Sequence, residues 1–120
     1  IQEITMNFLS ILKIIAAIAT ILTGLFSLIK PTAVFDFTGL RVEGGRGITE
    51  IRSILGAFFI GLGIFALFKQ APDTYTMLGF TYLVVGVVRT ISMFVDHSIV
   101  KSNVVSAIVE FILGIILVIP

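Results

Sequence analysis

Residues 49–68 read TEIRSILGAFFIGLGIFALF, and their last eight, Gly61–Phe68, form an unbroken apolar run. A transmembrane β-strand alternates apolar and polar residues over about ten positions, and this run does not alternate. At about 1.5 Å per residue, a helix of this length crosses the roughly 30 Å hydrocarbon core of a bilayer. The stretch therefore predicts a membrane-spanning α-helix.

The composition of the whole chain indicates the same environment. Of its 120 residues, 58% are hydrophobic and 12% are charged, and the mean hydropathy is +1.18. A soluble domain typically carries about 25% charged residues, and a chain this short leaves much of its surface outside any core. We therefore expect an integral membrane protein whose surroundings are the lipid bilayer.

Three further stretches have a similar length and apolar character. Pro31 ends the first, because proline cannot continue a helix and disfavours helical geometry in the residue before it. Ala71, Pro72 and Asp73 form the turn between the second and the third. The prediction is an all-α, four-transmembrane-helix bundle in a single domain, residues 1–120, with helices at about 7–29, 49–68, 74–95 and 102–120.

The predicted loop at residues 30–48 is the natural place for a partner or ligand. Its segment Val34–Phe37 is too apolar for a free loop, so we expect a short helix or hairpin in the membrane interface. Residues 44–47, GGRG, lack the Lys-Ser/Thr of a phosphate-binding loop and follow no strand, so we interpret them as a flexible turn.

Each predicted span contains a charged residue in apolar surroundings. A lone charge near the bilayer centre costs roughly 2.5 to 3.5 kcal/mol, so such residues are expected to face inward and to pair. They are Lys13, Arg52, Arg89 and Glu110. Lys13 lies about 9 Å along the first helix from Asn7, and we expect its long side chain to extend to the membrane interface.

Two of these charges lie at matching depth. Arg89 precedes Asp96 by seven residues, about 10 Å inside the end of the third span, and Glu110 follows Lys101 by nine residues, about 13 Å inside the same membrane face. The start of the second span contributes two more charges at that face. We predict a buried polar cluster of Glu50, Arg52, Arg89, Asp96 and Glu110.

Small residues indicate where the helices pack, because close backbone approach supplies the packing energy within lipid. Gly79 and Gly86 share a helical stripe with Arg89, and Gly114 shares one with Glu110. The predicted helix-packing glycines are Gly56, Gly61, Gly79, Gly86 and Gly114. Two seams repeat every four residues: Ala16, Thr20 and Gly24 in the first span, and Ser53, Ala57 and Gly61 in the second.

Several function classes have little support in this sequence. The chain has no cysteine and one histidine, which excludes thiol chemistry, two-His haem ligation and the paired Glu-x-x-His arrangement of di-iron bundles within one chain. Its net charge is +1 and its cations are scattered, so we expect no nucleic-acid partner. Asp96, His97 and Ser98 are consecutive and cannot easily converge as a hydrolase triad. We expect no enzyme activity, metal or cofactor.

The charged and glycine positions resemble domain-of-unknown-function family 4345, small bacterial membrane proteins with four helices. The resemblance spans residues 24–114 and rests on Glu50-Ile51-Arg52, Gly56, Gly61-Leu62-Gly63, Gly79-Phe80, Gly86, Arg89, Ser92, Asp96, Glu110 and Gly114. A glycine commonly follows the third-helix Asp in that pattern, where this sequence has His97. The resemblance implies the four-helix fold and a bacterial cytoplasmic membrane, and it assigns no activity.

Two interpretations of the polar cluster remain open at this point. The cluster is either an ion-pair network that fixes helix register, or a site for a polar ligand, a lipid headgroup or a proton. The first favours an accessory or assembly subunit that packs against other membrane helices, from a partner protein or a second copy. The alternative is a small transporter-like or ligand-binding bundle.

Overall fold

The computed structural model describes residues 2–120, with side chains from residue 8 onward. The described chain consists of helices joined by short loops, with no strand, and contains four helices long and apolar enough to cross a membrane. These are Phe8–Ile29, Gly44–Lys69, Pro72–Val95 and Lys101–Val118, the first to fourth spans. The predicted all-α fold with four such helices is confirmed.

The helices of the structure are separated near the proline residues that divide the predicted spans. They are α1 (Gln2–Ile29), α2 (Ala33–Thr38), α3 (Gly44–Glu50), a π-helical segment (Ile51–Ala57), α4 (Phe58–Lys69), α5 (Pro72–Val95) and α6 (Lys101–Val118). Pro31 follows the end of α1, and Pro72 occupies the first turn of α5, where a missing N–H costs nothing. The apolar segment around Val34 is a short helix, one of the two forms that the sequence predicts.

The second span begins at Gly44, five residues before the predicted start at Thr49. Gly44 has φ +63°, a left-handed conformation that favours glycine, and turns the extended chain at Glu43 into the helix. A Cβ on Gly47 would lie 2.5 Å from the Cβ of Val42, so this position also requires glycine. The GGRG segment is thus the entry of the helix and not the free turn that its composition predicts.

The second span changes its winding between Ile51 and Ala57. The backbone N–H of Phe58 donates to the carbonyl of Ser53, five residues earlier, which is the hydrogen-bond pattern of a π-helix. Ile51 and Gly56, also five apart, are both buried. Because a π-helical turn contains more residues than an α-helical turn, residues five apart lie on the same face here. The four-residue spacing of an α-helix therefore does not identify the buried residues in this part of the span.

The chain divides into two compact units, one comprising Ala17–Lys69 and the other comprising the residues up to Ala16 together with Gln70–Pro120. In the unit Ala17–Lys69, α1 and the second span run antiparallel in close contact. A Cβ on Gly24 would lie 2.5 Å from the carbonyl oxygen of Gly56, and one on Gly63 would lie 2.7 Å from that of Ala17. Glycine therefore allows the two backbones to approach each other at both points.

In the other unit, α5 and α6 form an antiparallel pair. A Cβ on Gly79 would lie 2.9 Å from the carbonyl oxygen of Gly114, and one on Gly114 would lie 3.1 Å from that of Gly79. A Cβ on Gly86 would meet the ring of Phe111 at 3.2 Å. These contacts hold the two helices in register over several turns and bring their polar residues together.

Most of the apolar surface of the spans faces outward. Between 17% and 28% of the most apolar window in each span is buried, so the larger part of every window lies on the surface. Large exposed side chains occur on all four spans of the described chain, and examples are Phe26, Phe58, Phe80, Phe94 and Ile112. Such a surface is suited to lipid or to other apolar helices and not to water.

Candidate functional site

The charged pair between α5 and α6 is the most organised polar feature of the described chain. Arg89 Nε donates to Glu110 Oε1 and Arg89 Nη2 donates to Glu110 Oε2, each at 2.8 Å. Two parallel bonds between the planar guanidinium and the carboxylate form the strong, bidentate geometry of this pair. Both carboxylate oxygens of Glu110 are therefore engaged by one arginine.

A third residue completes the coordination of the guanidinium. Asn103 Oδ1 accepts from Arg89 Nη1 at 2.9 Å, and Asn103 Nδ2 donates to the carbonyl oxygen of Ser98 at 3.0 Å. The network thus links α5, α6 and the loop between them. Sequence reasoning missed Asn103, although its position seven residues before Glu110 places both side chains on one helical face.

Asp96 belongs to the predicted cluster, but the structure places it on the surface at the end of α5. The backbone there forms a Schellman turn, in which the N–H of Ser98 donates to the carbonyl of Met93 at 3.0 Å. His97 occupies the left-handed position of this turn with φ +51°. Glycine is the usual residue at such a position, which explains the glycine that the family pattern commonly has there.

The other two predicted cluster residues, Glu50 and Arg52, have partners within the unit Ala17–Lys69. Glu50 pairs with Arg46 one helical turn earlier, and both side chains are at least half exposed. Arg52 is exposed and its Nε donates to the carbonyl oxygen of Leu28, near the end of α1, at 3.2 Å. The description of these residues as buried is therefore wrong for Glu50, Arg52 and Asp96.

Arg52 also lines an open cavity of about 720 Å³, which we call the loop-one cavity. Its wall comes from the end of α1, the start of α2 and the second span, and includes Ile29, Lys30, Thr32, Asp36, Ile48 and Arg52. Two cations and one carboxylate thus share one concave surface. The prediction that loop 30–48 offers a place for a ligand is compatible with this geometry.

Lys13 is buried and has two partners in its unit. The residue is 7% exposed, its ammonium donates to the carbonyl oxygen of Ile119 beyond the end of α6, and the ammonium lies 5.6 Å from the ring centre of Tyr75. A carbonyl at a helix C-terminus and an aromatic face both attract a cation, and the ammonium reaches the level at which α6 ends, so its extension to the membrane interface stays a prediction. The hydroxyl of Tyr75 is buried without a hydrogen-bond partner in the described chain.

Four of the five predicted packing glycines lie at close contacts. Gly56, Gly79, Gly86 and Gly114 are all buried. Gly61 is exposed, and a Cβ added to it would meet no described atom within 4 Å, so its assignment as a packing glycine within this chain is wrong. The same holds for its predicted seam, because Ser53 and Ala57 are exposed too, whereas the seam of Ala16, Thr20 and Gly24 is buried.

The chemistry of these sites is electrostatic. Among the side chains described, no three His, Asp or Glu residues lie close enough to share a metal ion. Arg89 and Glu110 neutralise each other, and the loop-one cavity carries an excess of one positive charge among its ionisable lining residues. The arrangement offers helix pairing in one unit and a cationic pocket in the other.

These features define a small all-helical protein in which four described helices are long and apolar enough to span a membrane and an arginine–glutamate pair joins the last two. Residues 8–119 match the family described as Domain of unknown function (DUF4345). The chain belongs to that family, and the resemblance inferred from its charged and glycine positions is confirmed. No curated protein and no solved structure matches the chain.

Proposed function

We propose that this chain is an integral protein of a bacterial cytoplasmic membrane and acts there as an accessory or assembly subunit, without catalytic activity of its own. A bilayer location is supported by the outward-facing apolar surface of the spans, such as Phe58 and Phe80, whose side chains are more than half exposed. In water, so large an apolar surface would cause aggregation.

The observation that carries the subunit role is an unoccupied stripe of small residues. Ser53, Ala57 and Gly61 lie on the exposed surface of the second span, and Gly61 leaves open space where a Cβ would be. Small residues in lipid are characteristic of helix contacts, because they let another backbone approach closely. We infer that a helix of a second copy or of another membrane protein packs on this stripe.

The half-buried pair of Arg89 and Glu110 supports a structural role for these two charges. Arg89 engages both oxygens of Glu110 and the amide oxygen of Asn103, so the network neutralises its own charge within α5, α6 and their loop. A ligand that competed for this site would have to replace bonds that are already made. The pair therefore fits a register device better than the alternative of a ligand or proton site at Arg89 and Glu110.

Site-specific crosslinking tests the subunit role, because the chain has no cysteine and each introduced cysteine is the only one. Labelled on its thiol with a maleimide photocrosslinker and irradiated, Gly61→Cys should form a crosslinked adduct in native membranes, with a second copy or with another membrane protein. Ile112→Cys, at a position on α6 that is also exposed, at 53%, is the matched control and should crosslink much less. Mass spectrometry of the adduct identifies the partner.

The subunit role would be contradicted if Gly61→Cys remained uncrosslinked in membranes that hold the folded protein at its native level. It would also be contradicted if purification in native lipid yielded only single chains. Stoichiometric co-purification of a membrane protein, or a defined oligomer, is the expected result.

A further inference from the structure

The loop-one cavity has the size and position of a binding site that the subunit role does not use. Its volume of about 720 Å³ falls within the range of small-molecule pockets, roughly 300 to 1,000 Å³. Lys30 lies directly after the end of α1, and Asp36 lies on α2, so the cavity opens where the first span gives way to the loop.

The two cations of the cavity are differently held. Arg52 is fixed by the bond from its Nε to the carbonyl oxygen of Leu28, at 3.2 Å, and the two terminal nitrogens of its guanidinium have no other partner in the described chain. Lys30 is exposed on the wall of the same cavity. A planar guanidinium and a flexible ammonium together can contact several oxygens of one phosphate group.

The net charge of the cavity selects among phosphate ligands. Lys30 and Arg52 contribute two positive charges and Asp36 one negative charge, which leaves +1. A phosphodiester carries one negative charge and neutralises the cavity, whereas a phosphate monoester approaching −2 would leave an excess negative charge beside the carboxylate of Asp36. The carboxylate can accept a hydrogen bond from a hydroxyl group of the same ligand.

Apolar surface continues from the cavity along the first span. Ile29, on the cavity wall, is 67% exposed, and Phe26 and Leu22, three and seven residues earlier on the same helical face, are 47% and 58% exposed. A lipid whose headgroup occupies the cavity could pack its acyl chains against such residues. A soluble phosphate compound has no acyl chain to make this contact. Basic pockets at the ends of transmembrane helices are suited to anionic headgroups on general electrostatic grounds.

We propose that the loop-one cavity binds the anionic phosphodiester headgroup of a phospholipid of the phosphatidylglycerol type, with Lys30 and Arg52 on the phosphate and Asp36 accepting from a headgroup hydroxyl. This site lies outside the Arg89–Glu110 network. It requires a bilayer location but not a protein partner, so the crosslinking experiment and the lipid experiment fail or succeed independently.

Lipid binding is measured by native mass spectrometry of the delipidated full chain in detergent, titrated with phosphatidylglycerol or with phosphatidylcholine, whose headgroup has no net charge. The wild-type chain should retain one phosphatidylglycerol in preference to phosphatidylcholine. Lys30→Gln should weaken phosphatidylglycerol binding about fivefold, since one cation near an anionic lipid surface contributes about 1 kcal/mol. Lys30→Gln combined with Arg52→Gln should weaken it roughly twenty-five-fold.

Two further variants make the assignment specific. Lys69→Gln removes the same charge from an exposed position that does not line the cavity, and it should leave lipid binding unchanged. Asp36→Asn should strengthen binding and should also admit glycerol phosphate, a monoester, as a competitor. Circular dichroism tests whether each variant is folded. If the variant that carries Arg52→Gln does not fold, the binding measured for Lys30→Gln alone decides the outcome.

Three results would overturn the proposal. The first is equal loss of binding in Lys30→Gln and Lys69→Gln, which indicates unspecific attraction. The second is equal retention of phosphatidylcholine and phosphatidylglycerol by the wild-type chain. The third is displacement of the lipid from wild-type protein by inorganic phosphate at the same concentration, which would assign the cavity to a soluble phosphate.

Discussion

The α5–α6 pair and the start of the second span contain the same kinds of charged residue in opposite arrangements. Arg89 and Glu110 are joined by two bonds of 2.8 Å, and the side chain of Glu110 is 13% exposed. Arg46 and Glu50 also pair, but their side chains are 82% and 51% exposed. In the first arrangement the two charges pair with each other and hold two helices together. In the second, cations such as Arg52 stay accessible at the surface. Charge type alone therefore does not distinguish a structural pair from a binding site.

The largest expected effect separates the two arrangements directly. Glu110→Leu leaves the guanidinium of Arg89 without its carboxylate and should lower the free energy of unfolding by about 3 kcal/mol, at the low end of the range for a buried pair because Arg89 is one third exposed. The measurement is an SDS-titration unfolding curve in mixed micelles. Combining Glu110→Leu with Arg89→Met should restore most of the loss, because no unpaired charge remains. A double variant as unstable as Glu110→Leu would contradict this explanation.

The glycine contacts give the next effect. Gly79→Ala places a Cβ 2.9 Å from the carbonyl oxygen of Gly114 and 2.6 Å from the Cβ of Leu117, and it should cost about 2 kcal/mol through forced separation of α5 and α6. Gly61→Ala is the matched control, since it meets nothing within 4 Å and gains helix propensity. The same unfolding assay compares them. Equal destabilisation by the two substitutions would argue against the described packing of α5 on α6.

A smaller effect of opposite sign is expected at the turn after α5. His97→Gly removes a side chain from a backbone with φ +51° and should raise the free energy of unfolding by about 1 kcal/mol. His97→Ala, which keeps the left-handed strain, serves as the comparison and should give no such gain. Thermal unfolding in detergent followed by circular dichroism is sufficient. A loss of stability in His97→Gly would show that the imidazole makes a contact that outweighs the strain.

The smallest effect is expected at the exposed pair. Glu50→Gln should change the free energy of unfolding by no more than about 0.5 kcal/mol, because a solvent-exposed pair one helical turn apart contributes little. Glu110→Gln, the same chemical change in the half-buried pair with Arg89, should cost several times more. Because the substitution is the same in both variants, the difference between their free energies of unfolding measures the difference between the two pairs. Similar free energies for the two variants would contradict the distinction between an exposed and a structural pair.

The sequence predicts the spans because proline and the length of apolar runs act locally. Pro31 follows the first span as predicted, and the third span begins at Pro72, a residue predicted to lie in the turn, two residues before the predicted start. The antiparallel order of α5 and α6 and the matching depth of Arg89 and Glu110 also follow from counting residues. Short connections and a fixed rise per residue are sufficient for these features.

The errors arise where tertiary geometry overrides a local pattern. The seam of Ser53, Ala57 and Gly61 assumes a constant helical turn, and the π-helical segment adds a residue and buries Ile51 and Gly56 instead. Low helix propensity makes GGRG look like a turn, although Gly44 enters the helix through a left-handed φ.

The hydrogen-bond partners of buried polar residues could not be predicted from local sequence patterns either. The partner of Lys13 is a backbone carbonyl of Ile119, a group that every residue carries, so no side-chain pattern could identify it. Asn103 has a detectable spacing to Glu110, but a single amide in an apolar helix does not show which cation it faces. The loop-one cavity depends on how α2 folds back beside the spans, and composition does not determine that.

The most direct test of the account is the isolation in native lipid of the wild-type chain beside the double variant Arg89→Met, Glu110→Leu. If the charged pair is a register device and the chain is a subunit, the folded double variant should keep the same stoichiometric protein partner or oligomeric state as the wild type. A double variant that is folded to the same helix content but has lost its partner, or a specific small molecule carried by the wild type, would contradict the account and would make Arg89 and Glu110 the functional site.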